Sequence, residues 1–497
     1  MSETGVVTRS RWQIMMPVIV CGSGLFSDGY LNGIIGTVNT ILGRIYGDEY
    51  KNSPAQSNVS SIAFAGTIIG MLVFGYISDN LSRKVGMVAS TSILIVFAAL
   101  CTGAYGANGS VGGLLAALTA YRFLLGIGIG GEYPAGSVAC SEATGELKSG
   151  SRNRWFIIFT NVMIDFGFVI AAFAPLCVLW IFGMNKLEVV WRVSLGLGVI
   201  MPLSIIYFRT QLKEGENYKR ETMRETKTPW LLVAKYYGPR LVVLSIIWFI
   251  YDFSAYSFGI YGSSILEIVV GEEESLYKPF GWNVVLNLFY IPGAVAGSFI
   301  SDWIGAKQTL ALGLTAQGLV GLIMAGCYGK LATPEHVAGF VVVYGIFLTL
   351  GELGAGDNIG LLASKSSATA IRGQFYGIAA AVGKIGAFVG TYVFPIIIKN
   401  AGGSKTVKGN QAPFWVSSAL CLFSAILAWF FLPNVGQDTI TEEDIAFRAY
   451  LAANGYDVSQ IGVKELRGER PDDANSADGV AHSSIMKEDE KFVTVAM

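Results

Sequence analysis

Between Lys84 and Arg122 no charged residue interrupts the chain. That run is too long for one bilayer crossing, which takes about 20 apolar residues. The turn-forming stretch Ala107-Asn108-Gly109-Ser110 divides it into two crossings. Comparable apolar runs recur along the whole chain. In lipid only helices and closed barrels satisfy their own backbone, and these runs are not ten-residue alternating strands. Spans are expected over 14–38, 60–78, 86–106, 111–139, 155–182, 190–208, 241–264, 281–303, 309–329, 337–360, 372–399 and 413–432. Composition agrees: 52% of the residues are hydrophobic and 14% charged, against about 25% charged in soluble domains. The fold class expected is an all-α membrane protein with twelve transmembrane helices.

Basic residues set the orientation. Segment 209–240 carries Arg209, Lys213, Lys219, Arg220, Arg224, Lys227, Lys235 and Arg240, and the loops holding Arg83/Lys84 and Lys148/Arg152/Arg154 fall on the same side. By the positive-inside rule these are cytoplasmic, as are both termini. The opposite loops are poorer in base, and one is acidic (Glu272, Glu273, Glu274). The opening MSETGVVTRSRW has no cleavable signal, so the first span would direct insertion. The expected organisation is a cytoplasmic N-terminus (1–13), a six-helix half (14–208), a cytoplasmic linker (209–240), a second six-helix half (241–432) and a cytoplasmic tail (433–497). GYISDNLSRKVG after span two has an echo in GSFISDWIGAK after span eight, the mark of a transporter built from two related halves. In the polar tail, Thr439-x-x-Glu442 reads as a capping box before an amphipathic turn, and Lys487 and Lys491 as part of a solvated end.

A net charge of −1 argues against nucleic acid as a partner. Six scattered cysteines without a CxxC, and two histidines, argue against a metal, a cofactor or a disulfide framework. No nucleophile–base pair or phosphate loop suggests an enzyme. Segment 121–146 carries Arg122 and Glu132 at membrane depth, where ionisable groups cost at least ~2.5–3.5 kcal/mol and face a cavity or a partner. With Gly126, Gly128, Gly130 and Gly131 opening one side to close approach, it reads as a pore-lining helix. Its GxGxxG letters lack the strand–turn–helix setting of a dinucleotide site. Asn58-Val59-Ser60 and Asn108-Gly109-Ser110 match the glycosylation acceptor pattern.

Gly75-x-x-x-Asp79…Arg83-Lys84 resembles the signature loop of the major facilitator superfamily, with Asn80 and Ser82 where that family usually has Arg and Gly. The resemblance implies two six-helix halves and a gating or structural role for Asp79, Arg83 and Asp302. GIGIGGEYP, Trp248-x-x-x-Asp252-x-x-x-Tyr256, Gly356-Asp357-Asn358 and Arg372-Gly373…Gly383-Lys384-Ile385-Gly386-Ala387 resemble motifs of the phosphate:proton symporter branch, on helices four, seven, ten and eleven. Departures point away from inorganic phosphate. TNVMIDFG places Asn161 and Asp165 where phosphate symporters carry Gln, Lys365 replaces an acidic residue, and the first helix reads Asp28-Gly29-Tyr30-Leu31-Asn32. With SDGYLNG and TNVMIDFG present, the chain is most similar to the fungal glycerophosphodiester permeases, which carry glycerophosphoinositol and glycerophosphocholine.

The same residues make chemical sense. Trp248, Asp252 and Tyr256 share a helical stripe suited to a cavity wall. Lys384 is the one charge between Arg372 and Lys399, a compact ammonium at mid-span suited to a phosphate. It stands either as the main anion ligand or as a structural partner of Asp252 or Asp28, or as both in turn. Tyr133, Asn161 and Asn358 complete the expected substrate set. Asp28, Glu132 and Asp165 are the expected proton carriers, Glu352 is expected to be structural, and Arg122, at the start of helix four, a packing or gating charge. The expected activity is proton-coupled import of glycerophosphodiesters across the plasma membrane by a monomer, with inorganic phosphate:proton symport as the alternative. A non-transporting nutrient receptor of the same fold is a third possibility, for which the ordinary loop lengths offer no support.

Overall fold

The computed structural model describes residues 10–51, 53–270 and 275–463. The acidic stretch Glu272–Glu274 and the lysines 487 and 491 lie outside the described residues. Twelve described helices are long and apolar enough to cross a membrane, and we number them in order. The first six are α1 (Arg11–Tyr46), α2 (Pro54–Asn80), α3 (Arg83–Thr102), α4 (Val111–Thr144), α5 (Arg152–Phe182) and α6 (Met184–Gln211). The second six are α7 (Trp230–Val270), α8 (Tyr277–Trp303), α9 (Ala306–Leu331), α10 (Val337–Lys365), α11 (Arg372–Asn400) and α12 (Val407–Phe431). A thirteenth, α13 (Thr439–Ala453), follows the last of these.

Their ends follow from local chemistry. Ser53, with Pro54 behind it, caps α2; Ser82 caps α3 through Val85 N (3.2 Å) and Ser110 caps α4 through Gly113 N (3.2 Å). Gly183, at φ 73°, takes the chain out of α5 in a conformation that favours glycine. Most helices run past their expected ends, most of all at the connection between the halves. α6 runs to Gln211 and α7 begins at Trp230, so the connection is shorter than the expected 209–240 segment and contains the one-turn helix Glu216–Glu221. Arg209 is therefore no loop residue. It lies fully buried in the last turns of α6.

Within the first half α4 packs tightly on α2: a Cβ at Gly126 would meet the carbonyl of Ala63, and one at Gly70 the carbonyl of Ile127. The glycine stripe of 121–146 thus serves helix packing. The expectation of a pore-lining face is corrected, since Tyr133 alone of this segment reaches the central cavity. The halves meet through α1 on α7, α2 on α11, and α5 on α8 and α10.

Several of the helices are interrupted at cavity depth or near it. α1 contains a 3-10 turn (Ser23–Leu25) before Asp28, α5 changes direction around Thr160, and α4 and α10 contain π-turns at Glu132–Ser137 and Glu352–Gly356. Such bulges cluster at functional sites because they re-aim side chains.

α13 contains the amphipathic segment expected after Thr439-x-x-Glu442. Its cap position is Asp438, and Thr439 accepts from Gly436 N (2.8 Å) instead of closing a capping box. Ile440, Phe447 and Leu451 are buried beneath it, the last two among the tyrosines of the first turns of α7.

Candidate functional site

A central cavity of about 60 Å³ lies between the halves, lined from both. Lys384, in the middle of α11, enters it with its side chain almost fully buried. Its Nζ stands 3.3 Å from Asp252 on α7 and 3.6 Å from Asp28 on α1. It donates to the Tyr256 hydroxyl and rests over the rings of Tyr256 and Tyr133, 3.7 and 5.0 Å from their centroids. Asp28 accepts from the hydroxyls of Tyr133 and Tyr256 (the latter 2.8 Å) and from Asn32 Nδ2. Trp248 and Tyr376 pack edge to face (5.5 Å between centroids) and wall this end off. One ammonium thus bridges carboxylates from opposite halves.

The other end of the cavity is acidic. Asn161, on α5, donates through one amide nitrogen to Glu352 (3.0 Å) and Asp357 (2.9 Å), both on α10. Tyr251 donates to the second oxygen of Glu352 (2.8 Å). Asp165 lines the same wall, and neither of its oxygens receives a donor. No ion pair reaches Asp165, Glu352 or Asp357 among the described residues. Phe168 and Tyr290, with ring centroids 5.6 Å apart, also line the cavity.

Several expectations are corrected by this geometry. Asn358 does not line the cavity; its amide donates to Gly354 O (2.8 Å) and its oxygen accepts from Ser301 (2.7 Å), which fixes the α10 π-turn against α8. Glu132 also turns away. It pairs with Arg209 at 2.6 Å and accepts from Ser90 (2.9 Å), so Arg209 occupies the carboxylate expected to carry a proton. Arg122 sits mid-helix in α4, not at its start, and ties three helices by donating to Val59 O (2.8 Å) and Leu31 O (3.1 Å). Glu352, expected to be structural, lines the cavity. Asn58 accepts from Tyr392 through Oδ1 (2.7 Å) across the interface between halves.

Asp79, Arg83 and Asp302 lie on the α13 side of the cavity. Asp79 accepts from the Gly373 and Gln374 amides at the start of α11 (2.8 and 2.7 Å) and pairs with Arg83 at 2.5 Å. Arg83 reaches Thr369 O (3.1 Å), and Glu142 pairs with both Arg83 (3.0 Å) and Arg372 (3.1 Å). Asp302, at the related position of the second half, accepts from Gln437 (2.8 Å) and lies 3.9 Å from Arg154. Lys365 donates to Asn153 (2.6 Å) beside it. On the opposite side Arg44 pairs with Glu267 (2.8 Å) and Ser61 meets Thr391 (2.7 Å). The halves therefore touch above and below the cavity.

Glu352, Asp357, Tyr251, Tyr290 and Arg209 were not singled out as site or partner residues from the sequence. A signal was present: Gly131-Glu132-Tyr133-Pro134-Ala135-Gly136 is matched half a chain later by Gly351-Glu352-Leu353-Gly354-Ala355-Gly356. Each copy begins a π-turn at its glutamate.

Residues 15–228 and 210–447 match the family model described as sugar (and other) transporter. The chain is 52% identical to the glycerophosphocholine permease GIT4 of Candida albicans, over 93% of this chain and 85% of the relative. It is 51% identical to the major glycerophosphoinositol permease GIT3 of the same organism, over 93% and 86%. Among solved structures, the proton:xylose symporter XylE bound to 6-bromo-6-deoxy-D-glucose superposes with a TM-score of 0.72 at 16% identity, covering 87% of this chain and 98% of that one. The chain is thus a multi-pass membrane protein of the sugar (and other) transporter family, with the major facilitator fold, and it stands with the fungal glycerophosphodiester permeases.

Proposed function

We propose that the protein imports glycerophosphodiesters together with protons across the plasma membrane, both termini facing the cytoplasm, by alternating access of its two halves. The observation that carries this reading is the Lys384 ammonium, held between Asp28 of one half and Asp252 of the other. A phosphodiester entering the cavity displaces one of these carboxylates from the ammonium. Tyr133 and Tyr256, whose hydroxyls now serve Asp28, then turn to phosphate oxygens. The displaced carboxylate has lost its counter-charge in a water-poor site, and a proton restores neutrality.

Coupling follows from charge. The cavity wall holds Asp165, Asp252, Glu352 and Asp357 against the single ammonium of Lys384. An anion enters such a wall more favourably with each proton delivered to it, and by reciprocity a bound anion favours protonation. A membrane potential negative inside drives net positive charge inward by ~2.3 kcal/mol per 100 mV. This chemistry is transport, with no covalent step, and the permeases GIT4 and GIT3 are named for substrates of this class.

The test is uptake in cells stripped of other routes. Labelled glycerophosphocholine or glycerophosphoinositol accumulates, and alkalinisation of the medium or an uncoupler abolishes accumulation. Labelled inorganic phosphate accumulating in their place overturns the reading.

A further inference from the structure

The two π-turn glutamates have opposite surroundings. Glu132 has the guanidinium of Arg209, from the end of α6. At the related end of α12 the chain offers only Trp429, Phe430, Phe431 and Leu432. Among the described residues Glu352 therefore has no arginine, and it is gathered with Asp357 on Asn161 and set against Asp165. Three carboxyl groups brought together without a cation leave a buried site that favours positive charge.

We infer that the Asp165–Glu352–Asp357 end of the cavity is a subsite for a quaternary ammonium head group on the phosphodiester whose phosphate meets Lys384. Asp165 is 1% exposed, lines the cavity, and meets no hydrogen-bonding group other than the neighbouring Glu352 carboxyl. Phe168 and Tyr290 add aromatic faces beside it, and such faces with nearby carboxylates suit a trimethylammonium, which has no N–H to donate. Consecutive residues of α7 serve the two ends: Tyr251 contacts Glu352, while Asp252 contacts Lys384. A choline phosphodiester carries its negative and positive charges one two-carbon bridge apart, in the order that this wall presents their complements. Both ends draw on both halves of the protein, so a ligand spanning them is held by α1, α5, α7, α10 and α11 together.

The inference rests on the transport reading above, and the experiment separates the two. Uptake kinetics are measured for glycerophosphocholine, for its neutral isostere with C(CH3)3 in place of N(CH3)3+, and for glycerophosphoinositol. The wild-type protein takes up glycerophosphocholine with a KM at least about tenfold below that of the isostere. Asp165→Asn lowers the ratio of kcat/KM for glycerophosphocholine over glycerophosphoinositol by at least about tenfold, and Asp165→Glu restores part of it. If no diester is taken up by the wild type, the transport reading itself falls. If diesters are taken up but charged and neutral head groups are handled alike, the subsite is overturned and transport stands. The isostere comparison uses only the wild-type chain, so it decides even where a variant fails to reach the membrane.

Discussion

Lys384 has two carboxylates within 3.6 Å, so its removal exposes the chain to two different losses. Deleting one partner of a buried ion pair costs about 3–5 kcal/mol through the charge left behind. Lys384→Ala is therefore expected to abolish uptake and also to lower the amount of folded protein. The double variant Lys384→Ala/Asp252→Asn removes one stranded charge; it recovers folded protein, read as surface signal and thermal unfolding, but not uptake. Recovery of uptake in the double variant would make Lys384 a purely structural charge. Asp28→Asn keeps the hydrogen bonds of Tyr133 and Tyr256 but removes a charge, so it is expected to impair uphill accumulation more than counterflow exchange; equal loss of both would deny Asp28 the proton. These residues were legible in the sequence because an isolated charge in an apolar span has to meet a cavity or a partner. The same rule explains the misreading of Glu132. Its partner, Arg209, stands beside basic loop residues in the sequence, and nothing local distinguishes a buried arginine there from a solvated one.

At the scale of single helices, the twelve crossings were legible because bilayer thickness and backbone satisfaction leave so few alternatives. Less was legible of what each helix does with its faces. The glycines of α4 fit both a lipid-free helix contact and a cavity wall, and only the neighbouring carbonyls of Ala63 and Thr67 decide for the contact. The π-turns were hidden because their determinant is the pairing of a Gly-Glu-x-x-Ala-Gly copy in each half, which shows only when the halves are laid over one another. Their different charge environments give a prediction at this scale. Arg209→Met strands Glu132 inside the first half and is expected to cost about 3–5 kcal/mol, seen as a marked fall in the Tm of purified protein. Glu132→Gln/Arg209→Met is expected to recover most of that loss, since neutralising both partners leaves no uncompensated charge. A Tm that stays low in the double variant would show that packing of the arginine stem outweighs its charge.

Across the whole molecule, the side of the cavity that carries α13 is closed by a network that extends beyond the membrane helices. α13 caps it: Asp444 accepts from Thr369 N (2.6 Å) and Thr369 Oγ1 (2.7 Å) and lies 3.9 Å from Arg372, itself paired with Glu142. Glu443 pairs with Arg240 (2.5 Å) on α7, and Arg448 with Glu221 (2.8 Å) in the connection between halves. Gly462 and Val463 donate to Thr222 O (2.9 Å) and Lys219 O (3.0 Å), so the described end of the tail is tied to that connection as well. Burial pushes the Asp444 carboxyl from 3.8 up to about 6, outweighing Arg372 and the Thr369 hydrogen bonds that pull it down, while Glu221 adds to the rise. A carboxyl raised on docking favours the docked helix in its protonated form. That contribution is fully present below about pH 4, the carboxyl's undocked range, and is lost as pH climbs through about 6. Docking of α13 is therefore expected to be tighter at pH 5 than at pH 7.5. Backbone hydrogen exchange over residues 439–453, corrected for its intrinsic pH dependence, measures this directly in the purified protein. Protection is expected to fall several-fold between the two pH values in the wild type and to stay level in Asp444→Asn, whose side chain is neutral at both. Equal protection of the wild type at pH 5 and pH 7.5 would show that the Arg372–Glu142–Arg83 network holds Asp444 ionised throughout, and that α13 is a fixed brace on this closure.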